Sequence, residues 1–183
     1  MNETLNTIME RYSCRGFADT PLTEEQIKAL TEAALASPSG MNRQPWHISV
    51  VTDKKLIEEI DAEGIGIFAA AEDKTAYEMF KSRGGKLLYN APCMMMISQD
   101  GSDMAKMDCG ILSQNVALAA HSLGLGSCIC GVISVPLSGP RGEEFKKSLK
   151  FPEGYEFGIS ILLGTAEVCK EPHELDGNKV TYI

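Results

Sequence analysis

The sequence lacks a long apolar run and carries few basic residues. No stretch of about 18 apolar residues occurs, so we expect no membrane-spanning helix. The first residues, MNETLNTIMER, lack the basic start and apolar run of a signal peptide, so we expect a cytoplasmic protein with reduced thiols. The formal net charge of the 183 residues is −8, which argues against nucleic acid as a partner, because binding many phosphates needs a basic face.

Metal-binding motifs are also missing. The sequence has six cysteines and three histidines, but no C-x-x-C and no histidine pair at a spacing that metals use. Cys128 and Cys130 form a C-x-C, for which we favour small buried side chains of a strand over a metal site.

Helical and strand patterns mix along the chain. They predict helices at residues 3–12, 23–37, 53–60, 103–123 and 140–149, and strands at 46–51, 93–97, 128–133 and 157–163. Residues 62–90 are the least informative and are interpreted as a short helix or two. The tail from Glu167 has no core of its own, as in a segment that covers another surface such as a partner subunit. About four strands with helices on both faces predict one α/β or α+β domain over residues 1–183.

An arginine-serine-arginine pattern follows the first predicted helix. Arg11, Ser13 and Arg15 occupy alternate positions, so in an extended segment their side chains converge on one side. Two guanidinium groups and a hydroxyl suit a phosphate. The alternative is a pair of surface arginines near the C-terminus of a helix, where cations favour the helix dipole.

A polar loop precedes the first predicted strand, with the sequence SPSGMNRQPW at residues 37–46. Asn42 and Gln44 each offer donors and an acceptor, which suits the edge of a flavin ring or its ribityl hydroxyls. The alternative is a capped turn, and for Trp46 itself we favour a core position. The later run GLGSCICG at 124–131 is no dinucleotide fingerprint, because its glycine spacing fails and it follows a helix instead of a strand.

Together these segments resemble the nitroreductase family of flavoproteins. The resemblance spans nearly the whole chain and rests on RYSCRGF, on ASPSGMNRQPWHISVV about 20 residues later, on GLGSCICG and on GTAEVCK at 164–170. It implies an α+β fold, a three-layer α/β/α sandwich with a mostly antiparallel central sheet. It also implies a homodimer with two FMN sites at the subunit interface.

The resemblance further implies which residues contact FMN. Arg11 and Ser13 hold the phosphate, with Tyr12 between them, and Arg15 also reaches the pyrimidine edge and tunes the flavin. Backbone groups around Ile129, Cys130 and Gly131 lie beside the ring. The remaining implied contacts are Pro38, Ser39, Gly40, Asn42 and Gln44, partly from the other subunit, and Lys170, with His173 and Lys179 as possible substitutes.

The activity implied is oxidoreduction by ping-pong hydride transfer through the flavin N5, with NAD(P)H as reductant and a nitroaromatic, a quinone or a similar small molecule as acceptor. The flavin carries the hard chemistry, so no serine, cysteine or histidine nucleophile is required. Two alternatives are a different reaction on the same fold (dehalogenation, heterocycle oxidation or flavin breakdown) and a non-enzymatic flavin-binding redox protein. Phe68, Tyr77 and Phe80 are candidates for a lid over the flavin, or for core packing.

Overall fold

The computed structural model describes residues 2–183, and a four-stranded antiparallel sheet forms its centre. The order across the sheet is β1-β2-β4-β3, so β2 and β4 lie inside and β3 lies at an edge. The strands are β1 (Trp46–Val51), β2 (Cys93–Gln99), β3 (Gly126–Ile129) and β4 (Glu156–Gly164).

Seven helices surround the sheet. They are α1 (Glu3–Glu10), α2 (Glu24–Leu35), α3 (Lys54–Ala70), α4 (Thr75–Ser82), α5 (Ala105–Ser122), α6 (Ser134–Leu137) and α7 (Gly142–Ser148), with 3₁₀ turns at Gly40–Asn42 and Gly177–Lys179. Local signals set several of their ends. Thr23 and Gln26 form the predicted capping box of α2. Gly124, with φ +71°, ends α5, and the Leu125 N–H donates to the Ala120 carbonyl.

The side chains of β2 divide the core between the two faces of the sheet. Every residue of β2 is buried. Cys93, Met95 and Ile97 pack with residues of α5 and α2 on one face, and Met94 and Met96 join a second cluster on the other face. The second cluster includes residues of α3, α4 and α7, listed as Ile57, Ile60, Phe80 and Phe145. The α+β fold with three layers that the family resemblance implied is confirmed, with an entirely antiparallel sheet.

Two predicted elements were wrong in extent. The strand predicted at 128–133 is β3, which begins earlier and ends at Ile129, because only Gly126–Ile129 pair with β4. The helix predicted from Asp53 to Ile60 continues to Ala70 as α3, through Gly64 and Gly66. A Cβ at Gly64 would lie 2.6 Å from Leu87 Cδ2, so close packing against residue 87 explains the glycine at that position.

The candidate lid residues belong largely to the core. The rings of Phe68 and Phe80 stack with centroids 5.5 Å apart, and Phe80 is buried. Tyr77 lies on the same helix as Phe80, with the Lys81 ammonium 5.8 Å from its ring centroid. Core packing is therefore the role that the structure gives to Phe68 and Phe80.

Within residues 2–183, no helix combines the length and the apolar character needed to cross a bilayer. No group of three or more histidine, cysteine or acidic side chains in the same range is arranged to hold a metal ion. The tail that follows β4 has five exposed large apolar residues, namely Val168, Leu175, Val180, Tyr182 and Ile183.

Candidate cofactor site

The segment after α1 extends the sheet beyond β3. Arg11, at the end of α1, is already extended, with φ −62° and ψ 142°. Ser13 forms a parallel bridge with Ser127, and the Cys14 N–H donates to the Ser127 carbonyl at 2.8 Å. Cys14 is fully buried whereas Arg15 is exposed, so side chains alternate between core and solvent here. Arg11, Ser13 and Arg15 are each at least partly exposed, and their convergence on one side stays a prediction.

The two guanidinium groups of this segment are not neutralised. Neither Arg11 nor Arg15 forms an ion pair with any residue from 2 to 183, although 25 acidic residues occur in the sequence. Both lie close enough to Cys128 to act on its thiol. Burial raises the pKa of Cys128, and the charges of Arg15 and, to a smaller extent, Arg11 oppose that rise. The arginines therefore make a positive region at the edge of β3.

A turn at the end of β3 presents a backbone donor beside this region. Ser160 of β4 holds the turn, because its hydroxyl donates to the Cys130 carbonyl at 2.6 Å and its carbonyl accepts from the Cys130 N–H at 2.8 Å. Gly131 follows and is exposed, and its N–H makes no hydrogen bond to another residue in the described range. The predicted contacts Ile129, Cys130 and Gly131 thus lie on a fixed turn that offers a free N–H.

The loop from Pro38 to Gln44 is fixed from within. The Ser39 hydroxyl accepts from the Gln44 N–H at 2.9 Å, and the Asn42 Oδ1 accepts from the Gln44 Nε2 at 3.2 Å. Met41, Asn42 and Gln44 have φ of 52°, 53° and 49°, in the left-handed region. Such values in residues other than glycine carry strain that the surrounding structure must hold. Trp46, just after the loop, is buried in the core as expected.

The loop and the arginine segment lie at opposite ends of α5 within one chain. The carboxylate of Asp108, in the first turn of α5, accepts from the Gly40 N–H at 3.2 and 3.3 Å. Glu10, which precedes Arg11, lies 3.8 Å from the imidazole of His121 in the last turn of α5. At a rise of 1.5 Å per residue, these two points on α5 are roughly 20 Å apart. One chain therefore does not bring the two predicted halves of the site together.

Tyr12 and the tail meet beside the arginine segment. The Tyr12 hydroxyl donates to the Val168 carbonyl at 3.1 Å, and its side chain is within hydrogen-bond reach of Cys169. Lys170 comes directly after Cys169 and is exposed. Lys179 lies 3.9 Å from Asp176, and His173 is exposed. Of the three predicted basic residues, Lys170 follows most closely the part of the tail that contacts the segment.

Three polar residues outside the sequence motifs form hydrogen bonds with the segments that carry the predicted site residues: Asp108, Asn115 and Ser160. Asp108 lies on the buried face of α5 with Leu112 and Val116. A charged residue on an otherwise apolar helix face is visible in the sequence and could have indicated that Asp108 has a specific partner. Ser160 is a polar residue in an otherwise apolar run of β4, a weaker signal of the same kind. A separate cavity of about 620 Å³, between α2 and α3, shares no residue with the predicted site.

Comparison with known proteins identifies the family. The model of the nitroreductase family matches residues 8–164, so the chain belongs to the nitroreductase family. A protein of Archaeoglobus fulgidus, named for NADH dehydrogenase and NAD(P)H nitroreductase activities, is 30% identical over 185 residues, which cover 96% of this chain and 92% of that protein.

Two solved structures are similar over the full chain. A nitroreductase with bound FMN from Desulfitobacterium hafniense is 49% identical, with a TM-score of 0.97, and the match covers 100% of this chain and 99% of that one. A nitroreductase with bound FMN from Bacteroides fragilis is 28% identical, with a TM-score of 0.90 and complete coverage of both chains. The family that the sequence motifs indicated is confirmed.

Proposed function

We propose that this protein is an FMN-dependent oxidoreductase that uses NAD(P)H to reduce small acceptors such as nitroaromatics or quinones. The observation that carries the proposal is the pair of unneutralised guanidinium groups, Arg11 and Arg15, on either side of Ser13 at the edge of β3. In a chain of net charge −8, such a pair is suited to a phosphate group. The similarity to two nitroreductases with bound FMN supports the same assignment.

The two arginines differ in position along the sheet edge, and this suggests different roles. Arg11 directly follows α1 and, with Ser13, is placed to hold the phosphate. Because the bridge between Ser13 and Ser127 is parallel, Arg15 lies further along β3, towards the turn that carries Gly131, than Arg11 does. A cation there would stabilise the negative charge that a reduced flavin carries at its pyrimidine edge.

The chemistry is assigned to the cofactor and not to a protein nucleophile. Bound FMN supplies hydride transfer between NAD(P)H and the acceptor. The Gly131 N–H is available to donate to the ring, and the backbone of Ile129 and Cys130 would line it. Burial raises the pKa of Cys130 to about 11 and raises that of Cys128, so these thiols stay protonated at neutral pH. Both thiols are therefore poor nucleophiles.

We propose that two copies complete each site. The Pro38–Gln44 loop and the arginine segment lie roughly 20 Å apart along α5, so two chains with antiparallel α5 helices would place the loop of one beside the arginines of the other. Met104, which directly precedes α5, forms an exposed apolar stripe with Met107 and Ile111 of the helix, and such pairing would cover that stripe. Pro38, Ser39, Gly40, Asn42 and Gln44 would then contact the partner's FMN. The tail with Lys170 would cover the same interface.

We further propose one FMN-binding domain over residues 1–183, placed in the cytoplasm. Helices on both faces pack on one sheet, which supports the first point. All six cysteines are free, and five of them are buried, as is common in a reducing compartment.

Titration of FMN-free protein with FMN tests the cofactor assignment. Arg11→Gln and Arg15→Gln are each expected to weaken FMN binding by about tenfold to a hundredfold, the loss typical of hydrogen bonds to charged groups. Arg83→Gln is the matched control, because Arg83 is an exposed arginine at the end of α4. Unchanged FMN affinity in both site variants would refute the phosphate assignment. Slow flavin reduction by both NADH and NADPH in stopped-flow experiments would favour another reaction.

The oligomer has its own test. Ile111→Lys places a charge in the apolar stripe of α5 and is expected to yield monomers in analytical ultracentrifugation, with weaker FMN binding. Lys106→Gln, which changes a charge on the same helix outside the apolar stripe, should leave the assembly unchanged. A dimer that persists in Ile111→Lys with full FMN affinity would refute the proposed interface.

A further inference from the structure

Asp108 is a buried carboxylate whose partner is a loop and not a cation. It is 3% exposed and forms no ion pair within residues 2–183. Both of its oxygens accept from the Gly40 N–H, at 3.2 and 3.3 Å. Burying a carboxylate without a hydrogen-bond partner or an opposite charge costs free energy of folding. The hydrogen bond to the Gly40 N–H is therefore the feature that explains an aspartate at this position.

The loop that Asp108 contacts keeps its own shape through internal bonds, but Pro38 and residues 41–44 are exposed and pack little against the protein. Met41 is 80% exposed, so its side chain does not pack the loop onto the protein. Three residues of the loop have left-handed φ values, and internal hydrogen bonds from Gln44 to Ser39 and Asn42 close it on itself. Those internal bonds fix the curvature of the loop but not its place on the protein. The bond from Gly40 to Asp108 does fix its place.

A second bond from the same face of α5 holds the start of the loop. Asn115, two helical turns after Asp108, donates from its Nδ2 to the Ser37 hydroxyl at 2.9 Å. Ser37 is buried, and its hydroxyl also lies 3.4 Å from the Ala33 carbonyl. The helix α5 thus ties the loop at Ser37 and again at Gly40, before the strained residues Met41 and Asn42.

We propose that Asp108 is a positioning residue, which holds the Pro38–Gln44 loop of one chain in the geometry that receives the FMN of its partner. This role rests on the proposed function, in which the loop of one copy completes the site of the other. In this role Asp108 does not contact FMN. It acts through the Gly40 backbone and keeps the strained loop residues in place before FMN binds. Binding then does not have to supply the free energy of ordering the loop.

The test combines hydrogen exchange with FMN titration. In Asp108→Leu, which keeps a side chain of similar size without acceptors, the amides of the Ser37–Gln44 segment should exchange faster and FMN should bind about tenfold more weakly or worse. Asp108→Asn keeps one acceptor oxygen and should fall between the wild type and Asp108→Leu in both measurements. This graded rescue also keeps the test decisive if Asp108→Leu does not fold.

Ser113→Ala is the matched control. Ser113 is 1% exposed on the same helix, and its hydroxyl donates to the Gly110 carbonyl of α5 itself. It should lower the thermal unfolding temperature somewhat and leave loop exchange and FMN affinity unchanged. A lower unfolding temperature in the Asp108 variants with unchanged FMN affinity would overturn the positioning role and leave only a structural one. A wild-type protein that does not bind FMN would instead overturn the proposed function.

Discussion

Substitution of Ser160 tests whether its hydrogen bond from β4 holds the Ile129–Gly131 turn in place. It is fully buried in β4, and its hydroxyl donates to the Cys130 carbonyl at 2.6 Å, in the turn that leads to Gly131. Ser160→Ala removes the donor and leaves a buried carbonyl with one partner fewer. An unsatisfied buried group costs about 1–3 kcal/mol. In a chain of this length, 1 kcal/mol shifts the unfolding midpoint by about 2–4 °C, so we expect a fall of roughly 2–12 °C.

Ser98→Ala is the matched control for that substitution. Ser98 is equally buried in the neighbouring strand β2, but its hydroxyl lies 3.4 Å from the His47 carbonyl, too far for a strong bond. Urea unfolding of FMN-free protein should therefore show a clearly smaller loss in Ser98→Ala than in Ser160→Ala. FMN titration should show weaker binding only in Ser160→Ala, because only that change loosens the Ile129–Gly131 turn. Equal losses of stability in the two variants would refute this account of Ser160.

Two further predictions concern titratable groups. An aromatic disulfide reagent should react rapidly with one thiol of the native protein, that of the exposed Cys169, and with all six thiols after denaturation. Burial protects the other five thiols and raises their pKa values. Two or more fast thiols in the native protein would contradict this prediction. Burial raises the pKa of Asp61, although the Leu88 N–H at 2.7 Å and the Lys86 ammonium at 3.8 Å favour the charged form. Because the pKa of Asp61 is raised in the folded state, protonation favours folding. The stability of the wild type relative to Asp61→Asn should therefore increase as the pH falls from 7 towards 4. A difference in unfolding free energy that stays constant over that range would contradict a raised pKa of Asp61.

Local chemistry predicted the elements whose ends it controls. The Thr23–Gln26 capping box and the left-handed Gly124 mark helix ends through bonds within a few residues, so sequence alone could place them. The end of β3 could not be placed in this way. The run from Cys128 to Ile133 is apolar throughout apart from Gly131, and only the register with β4 stops the strand at Ile129. Gly64 inside α3 is a similar case, because contact with residue 87 overrides helix propensity there.

The candidate site also combines residues that short sequence motifs indicate with residues that only the packed structure brings near them. The motifs predict Arg11, Ser13, Arg15 and the Pro38–Gln44 loop as site residues, because their chemistry is visible in single residues and short spacings. Asp108 bonds to the Gly40 N–H of the loop, and Ser160 bonds to the Cys130 carbonyl in the turn after β3. Both are far away in sequence from their partners and meet backbone groups, so no motif includes them. Their importance follows only from the packing of α5 and β4 against the site.

The helix α5 contacts both the loop and the helix that leads into the arginine segment. It contacts the loop through Asp108 at one end and α1 through His121 at the other, so it sets the distance between the two halves of the predicted site. The loop is tied to α5 through Asn115 at Ser37 and through Asp108 at Gly40, so its place along the helix is fixed at two points. In the proposed dimer, the arginine segment of one chain and the loop of the other would share a cofactor. If two copies complete each site as proposed, substitutions in the apolar stripe of α5 should weaken FMN binding, although the stripe lies outside the predicted cofactor contacts.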